Sequence, residues 1–91
     1  MRKKDRSLKE AIALKYDESI DDAPSIVAKG EGLIAEQILQ KATEHHVPVY
    51  EDPTLIELMG ELNINDKIPE DLYSAVAEVF VFIYRMDQKL Q

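Results

Sequence analysis

Two adjacent histidines, one glycine-flanked turn and a few acidic positions are the residues of this chain whose types could do chemistry. His45-His46 offers imidazole for a metal ion or a pH-sensitive contact, but neighbouring helix residues project about 100° apart, so the two rings cannot easily share one ion. A histidine at a helix C-terminus interacts favourably with the helix dipole, and that structural role is the expectation here. Lys29-Gly30-Glu31-Gly32 ahead of a helix has the outline of a phosphate-cradling loop. It lacks the GxxxxGK[ST] spacing, and Glu31 would set a negative charge beside the phosphate. A strand-to-helix turn accounts for both glycines. Asp17, Glu18, Asp21 and Asp22 have neither the spacing nor the glycine of an EF-hand, and they read as a solvated loop. Glu51-Asp52 reads as a helix cap. The chain has no cysteine, so thiolate metal sites and disulfides are excluded. No nucleophile stands with a base and no carboxylate pair sits in a recognisable framework, so neither an enzyme nor a cofactor is expected.

The elements that would position these residues are short. Ala11, Ile12, Ala13 and Leu14 form an apolar run that suits a buried strand over residues 10–16. Asp17–Asp22 is a polar turn, and Pro24 leads into a second strand around Ser25–Ala28. Leu33, Ile34, Ile38, Leu39 and Ala42 recur at helical spacing and predict a helix from about Leu33 to Glu44. Val47-Pro48-Val49-Tyr50 reads as a third strand, with the proline favouring an edge. Asp52-Pro53 is a strong helix start: an N-cap acceptor followed by a proline at the first helical position. That helix is expected through Leu55, Ile56, Leu58, Met59 and Leu62, ending near Asn63. Pro69, Glu70 and Asp71 begin a last helix. One of its faces carries Leu72, Ala75, Val76, Val79, Phe80 and Ile83; a second carries Tyr73, Ala77, Val81 and Tyr84. A helix apolar nearly all round is central to a core or has a face waiting for a partner. The predicted fold is α+β: a small mixed sheet of about three strands packed with three or four helices, in the order β-β-α-β-α-α.

Ninety-one residues with 45% hydrophobic composition suffice for one small domain. Charge is unevenly spread: Arg2, Lys3, Lys4, Arg6 and Lys9 oppose Asp5 alone in the first nine positions, whereas the whole chain carries −7. The acidic remainder, residues 10–91, would repel nucleic acid. Residues 1–9 are expected to be a flexible basic segment, with a peripheral contact to anionic lipid as the alternative use. The longest apolar run, Val79 to Tyr84, is far short of the ~20 residues needed to span a membrane. Nor does the basic N-terminus carry the apolar stretch of a signal peptide.

Three stretches carry a family resemblance. They are Ala11-Ile12-Ala13-Leu14-Lys15-Tyr16 running on to Ala23-Pro24-Ser25-Ile26-Val27-Ala28-Lys29-Gly30, then Val47-Pro48-Val49-Tyr50-Glu51-Asp52-Pro53, then Ile68-Pro69-Glu70-Asp71-Leu72-Tyr73-Ser74-Ala75-Val76-Ala77-Glu78-Val79. Together they resemble the cytoplasmic domain of the FlhB/YscU family, the substrate-specificity switches of flagellar and type III secretion export. The likeness extends over about residues 10–86. In that family a self-cleaving Asn-Pro-Thr-His turn directly precedes the first stretch; the aligned residues here are Arg6-Ser7-Leu8-Lys9. The cleavage is an asparagine cyclisation at an Asn-Pro bond. No asparagine precedes Asn63, and Asn63 and Asn65 are followed by Ile64 and Asp66, so this route is expected to be closed.

The resemblance implies several further things. Full-length members carry a membrane domain ahead of this one, and a chain starting at Met1 without it is expected to be a stand-alone, cytoplasmic homologue near the inner face of the membrane and the export gate. Its implied partners are early export substrates or proteins of the export apparatus. The implied binding pocket falls on Ala23, Pro24, Ala77 and Phe80, where the family commonly has an aliphatic residue in place of Phe80. The competing reading keeps Ala77 and Phe80 as plain core. The family also implies one more strand upstream of the cleavage turn. Without it a sheet edge is exposed, which invites self-association through a homotypic interaction module no longer tied to secretion.

Overall fold

The computed structural model describes residues 9–90, with 86–90 as backbone alone. The expected basic segment over residues 1–9, with its lipid contact, therefore lies outside the described residues except for Lys9. Two strands, β1 (Glu10–Lys15) and β2 (Ser25–Glu31), pair antiparallel and are followed by helices α1 (Leu33–Glu44), α2 (Pro53–Leu58) and α3 (Tyr73–Leu90). A 3₁₀ turn at Glu70–Leu72 leads into α3. The α+β class is as expected.

A β-bulge decides which residues meet. Ala11 pairs with Gly30 and Ala13 with Ala28, but Leu14 pairs with Ile26, so Val27 is the extra residue. Alternation along both strands then gathers Ala11, Ala13, Ala28 and Gly30 on one face and Ile12, Leu14, Ile26 and Lys29 on the other. The first face has no bulky side chain, and α1 lies close against it through the fully buried Ala35. The second face carries the core: Ile26, Leu55, Met59, Ile68 and Val76 cluster there, with Ile12, Leu14, Leu62, Leu72, Ala75, Val79 and Phe80 packed around them.

Sheet growth takes place on an unexpected segment. Val47–Tyr50 is not a strand; the outer side of β2 is met instead by residues 65–68. The Ile26 amide donates to the Asp66 carbonyl, the Asn65 amide donates to the Ile26 carbonyl, and the Ile68 amide donates to the Pro24 carbonyl, at 2.9, 2.7 and 2.8 Å. Ser25 and Lys67 form the corresponding bridge. Asn65, at φ 79°, turns the chain into that position. Val47, Val49 and Tyr50 are all exposed, so the segment has no buried alternate face to hold it in a ladder, and Pro48 removes a donor. The sheet proper is thus two-stranded and antiparallel among the described residues, not a mixed sheet of three.

The helix boundaries have local causes. The Asp52 carboxylate accepts from the Leu55 amide at 3.1 Å with Pro53 in the first turn, as expected. However, α2 stops at Leu58 instead of continuing to Asn63, with Gly60 just beyond. At the end of α1, His46 donates to the Thr43 carbonyl and Val47 to the Ala42 carbonyl, at 3.2 and 2.8 Å. This is a Schellman turn, and it places His46 at the left-handed position (φ 58°) where glycine is usual. His46→Gly is therefore expected to stabilise the domain by about 0.5–1 kcal/mol, read as a higher urea midpoint with an unchanged slope. No gain on substitution would mean that the imidazole makes a compensating contact.

Candidate functional site

The acidic loop is occupied with its own structure. Asp17 accepts from the Ser19 amide and hydroxyl at 3.0 and 2.6 Å, and Asp21 accepts from the Asp17 amide at 3.0 Å. Those bonds hold the Asp17 carboxyl below its usual range. Asp22 accepts from Lys67 at 2.6 Å, an exposed ion pair that tethers the loop to the segment beside β2. The hydrogen bond and charge of Lys67 lower the Asp22 pKa, and Asp22 raises that of Lys67.

The glycine-flanked turn is structural at each residue. Gly30 lies inside β2, where a Cβ would fall 2.2 Å from Ile34 Cγ2. Gly32 has φ 59° and directly precedes α1. Lys29 extends across the core face of the sheet, and its Nζ donates to the Gly60 and Leu62 carbonyls at 2.9 and 2.6 Å. It thereby satisfies two carbonyls of the turn that follows α2. This role was not legible beforehand, because residue spacing does not place a side chain on a carbonyl thirty residues away. Lys29→Met keeps the apolar stem and removes the donors. It is expected to cost about 1.5 kcal/mol, with faster amide exchange confined to the end of α2 and the turn after it. Global weakening without that local signature would contradict the assignment.

Beside Lys29 a cavity of about 160 Å³ opens at the end of the sheet, bounded by Glu10, Glu31, Ile56 and Gly60 among others. Glu10 and Glu31 are cross-strand partners there. Sharing a proton with Glu31 pushes the Glu10 carboxyl above its usual range. Folding thus favours the protonated form, and this contribution to stability fades as pH rises through the elevated value.

The four residues of the expected pocket differ in exposure. Ala23 is buried, and Pro24 is half-buried with its carbonyl engaged by Ile68. Phe80 packs against the core around Ile26 and stacks on Tyr16, with ring centroids 5.9 Å apart and planes 22° from parallel. Ala77, three residues before Phe80 on α3, is exposed. It lines an open groove of about 420 Å³ with Tyr50, Glu78, Val81, Phe82 and Arg85. Tyr50 meets Phe82 edge-on at 4.9 Å, so the chain after α1 forms one wall of this groove and α3 forms its floor. Of the two faces read on the last helix, the one through Val76 is core. The one through Ala77 and Val81 is open, as are Tyr73, Phe82 and Tyr84. No side chain in this groove is poised for covalent chemistry. What it offers is apolar and aromatic surface with one carboxylate and one guanidinium at its margins, which is the equipment of a binding face.

Comparison with known proteins gives a consistent picture. A family model described as the FlhB HrpN YscU SpaS family matches residues 8–83. The uncharacterized protein YlqH of Bacillus subtilis is 45% identical over 89 residues, covering 98% of this chain and 96% of that protein. The flagellar biosynthetic protein FlhB of Salmonella typhimurium is 44% identical over 77 residues, which are 84% of this chain but 20% of the flagellar protein. The chain thus spans about a fifth of the length of that relative. Among solved structures, the crystal structure of the PscU C-terminal domain superposes with a TM-score of 0.77 at 27% identity, over 81% of this chain and 95% of that one.

Proposed function

The chain belongs to the FlhB/HrpN/YscU/SpaS family, and from that membership we propose that it is a non-cleaving form of the export-switch domain that binds early export substrates or proteins of the export apparatus. Residues 10–88 form its single domain. No Asn-Pro pair occurs anywhere in the sequence, so the cyclisation that cuts the family's turn has no substrate bond. A domain that stays uncut is held in one specificity state, or serves beside a full-length relative. It works in the cytoplasm, at the inner face of the membrane near the export gate. Among the described residues no helix is long and apolar enough to cross a membrane.

The observation that carries the binding role is the open apolar flank of α3. Ala77 is exposed beside Val81 and Phe82, which are 49% and 47% accessible, while Phe80 on the next face is stacked on Tyr16. Ala23 and Pro24 join Ala77 and Phe80 in the proposed contact, a short apolar segment of the partner bearing on the small residues with Phe80 as a wall. A photo-crosslinking residue at position 80, in a protein shown by circular dichroism to fold, is expected to capture rod- or hook-type export substrates in the native cell. Ala77→Asp places an unpaired charge on an exposed position, so it should leave folding intact and reduce that capture about tenfold or more. Capture of proteins unconnected with secretion, or capture unaffected by Ala77→Asp, would sink the reading.

A further inference from the structure

We propose that the groove on α3 is also the interface for a second copy of this chain, with two α3 helices packed antiparallel about a twofold axis. The spacing of charges around the groove argues for this occupant. Glu78 and Arg85 both line it, seven residues apart, so they are separated by about 10.5 Å along the helix and cannot satisfy one another within it. Val81 and Phe82 stand midway between them, and both are about half exposed. Running a second α3 antiparallel, with the twofold axis between Val81 and Phe82, brings Glu78 of each copy opposite Arg85 of the other and Val81 opposite Phe82. A single helix face carrying one acid and one base symmetrically about an apolar centre is self-complementary, which is what a twofold interface requires. A parallel pairing would instead set Glu78 against Glu78 and Arg85 against Arg85.

The small side chain of Ala77 permits the helices to approach at about 8–10 Å. The two exposed ion pairs set orientation and register more than affinity, and the apolar centre with the Tyr50–Phe82 wall supplies the attraction. Because Ala77 also belongs to the proposed export contact, a dimer would cover part of that surface, and self-association would compete with partner binding. The dimer itself does not depend on the export reading.

Sedimentation velocity of the purified full chain, from about 1 µM to about 1 mM, tests the inference directly. The expected result is a reversible monomer–dimer equilibrium at low salt. Glu78→Arg alone and Arg85→Glu alone should each weaken it at least about tenfold, by opposing like charges across the axis. The double variant Glu78→Arg/Arg85→Glu should restore it, since the pairing is then exchanged between copies. All three variants change exposed positions alone, and matching thermal midpoints would show that folding is unaffected. A monomer throughout the range overturns the proposal, as does a dimer indifferent to the single changes or a double variant that fails to recover. A purified monomer whose crosslinker at position 81 captures an export substrate would also overturn it, while leaving the proposed function in place.

Discussion

Ile26→Ala is expected to remove about 2–5 kcal/mol from the stability of this domain, a large share of the total of about 5–15 kcal/mol usual for a native protein. Ile26 is fully inaccessible and lies at the centre of the core cluster. Its side chain reaches that position because the bulge at Val27 turns it to the same face as Leu14 and Ile12. Its backbone also holds residues 65–66 through two hydrogen bonds, so collapse around a cavity there would pull on the segment that completes the sheet. The cavity can relax little, and the cost should fall toward the upper part of the range. Urea denaturation followed by circular dichroism measures it, with Ile20→Ala as control. Ile20 is 76% exposed, and its truncation should shift stability by no more than about 0.5 kcal/mol. Equal effects from the two substitutions would mean that the core is not centred where the structure places it.

Gly30→Ala should cost about 1–3 kcal/mol or more, although alanine is an ordinary strand residue. The added Cβ would lie 2.2 Å from Ile34 Cγ2 and 2.7 Å from Ile34 Cβ. The second contact involves the atom nearest the backbone, so a rotamer change cannot relieve it and the first turn of α1 must move off the sheet. The small-residue face of Ala11, Ala13 and Ala28 exists to let that helix lie close, and lifting one end would open the whole layer. Ile34 is 51% exposed, so Ile34→Ala alone should be mild. In the double variant the contact at Cγ2 is gone while that at Cβ persists, so a double-mutant cycle should recover part of the loss as a coupling energy of about 0.5–3 kcal/mol. Additive effects would mean that the penalty comes from the strand backbone and not from helix approach.

Both substitutions bear on function through the same architecture. The core that Ile26 anchors is what fixes α3 in orientation, turning Val76 inward and leaving Ala77, Val81 and Phe82 outward. A variant that loosened this packing would blur the binding face without altering any residue on it. Tests of the groove therefore belong at exposed positions such as Ala77, Glu78 and Arg85, and tests of the scaffold at Ile26 and Gly30.

Local physics made much of this protein legible from its residues. The apolar spacing from Leu33 to Glu44 predicted α1 at the bounds observed, Asp52-Pro53 marked the start of α2, and the Leu72–Val79 stripe identified the buried side of α3. Each of these depends on interactions within a few residues, so a linear reading suffices. The three motif stretches likewise carried the family, and the missing Asn-Pro pair is a property of sequence alone. Long-range pairing was not legible. Val47–Tyr50 has the composition of a strand, but the place beside β2 went to residues 65–68, whose turn at Asn65 brings three backbone hydrogen bonds to Pro24 and Ile26. The bulge at Val27 and the reach of Lys29 to the turn after α2 were likewise decided by packing. One inserted residue in one strand reverses which side chains share a face, and no local preference records it. Residue type and spacing therefore determined most of the elements and the kinship, while competition among distant segments for one sheet edge and one core determined which surface was left open.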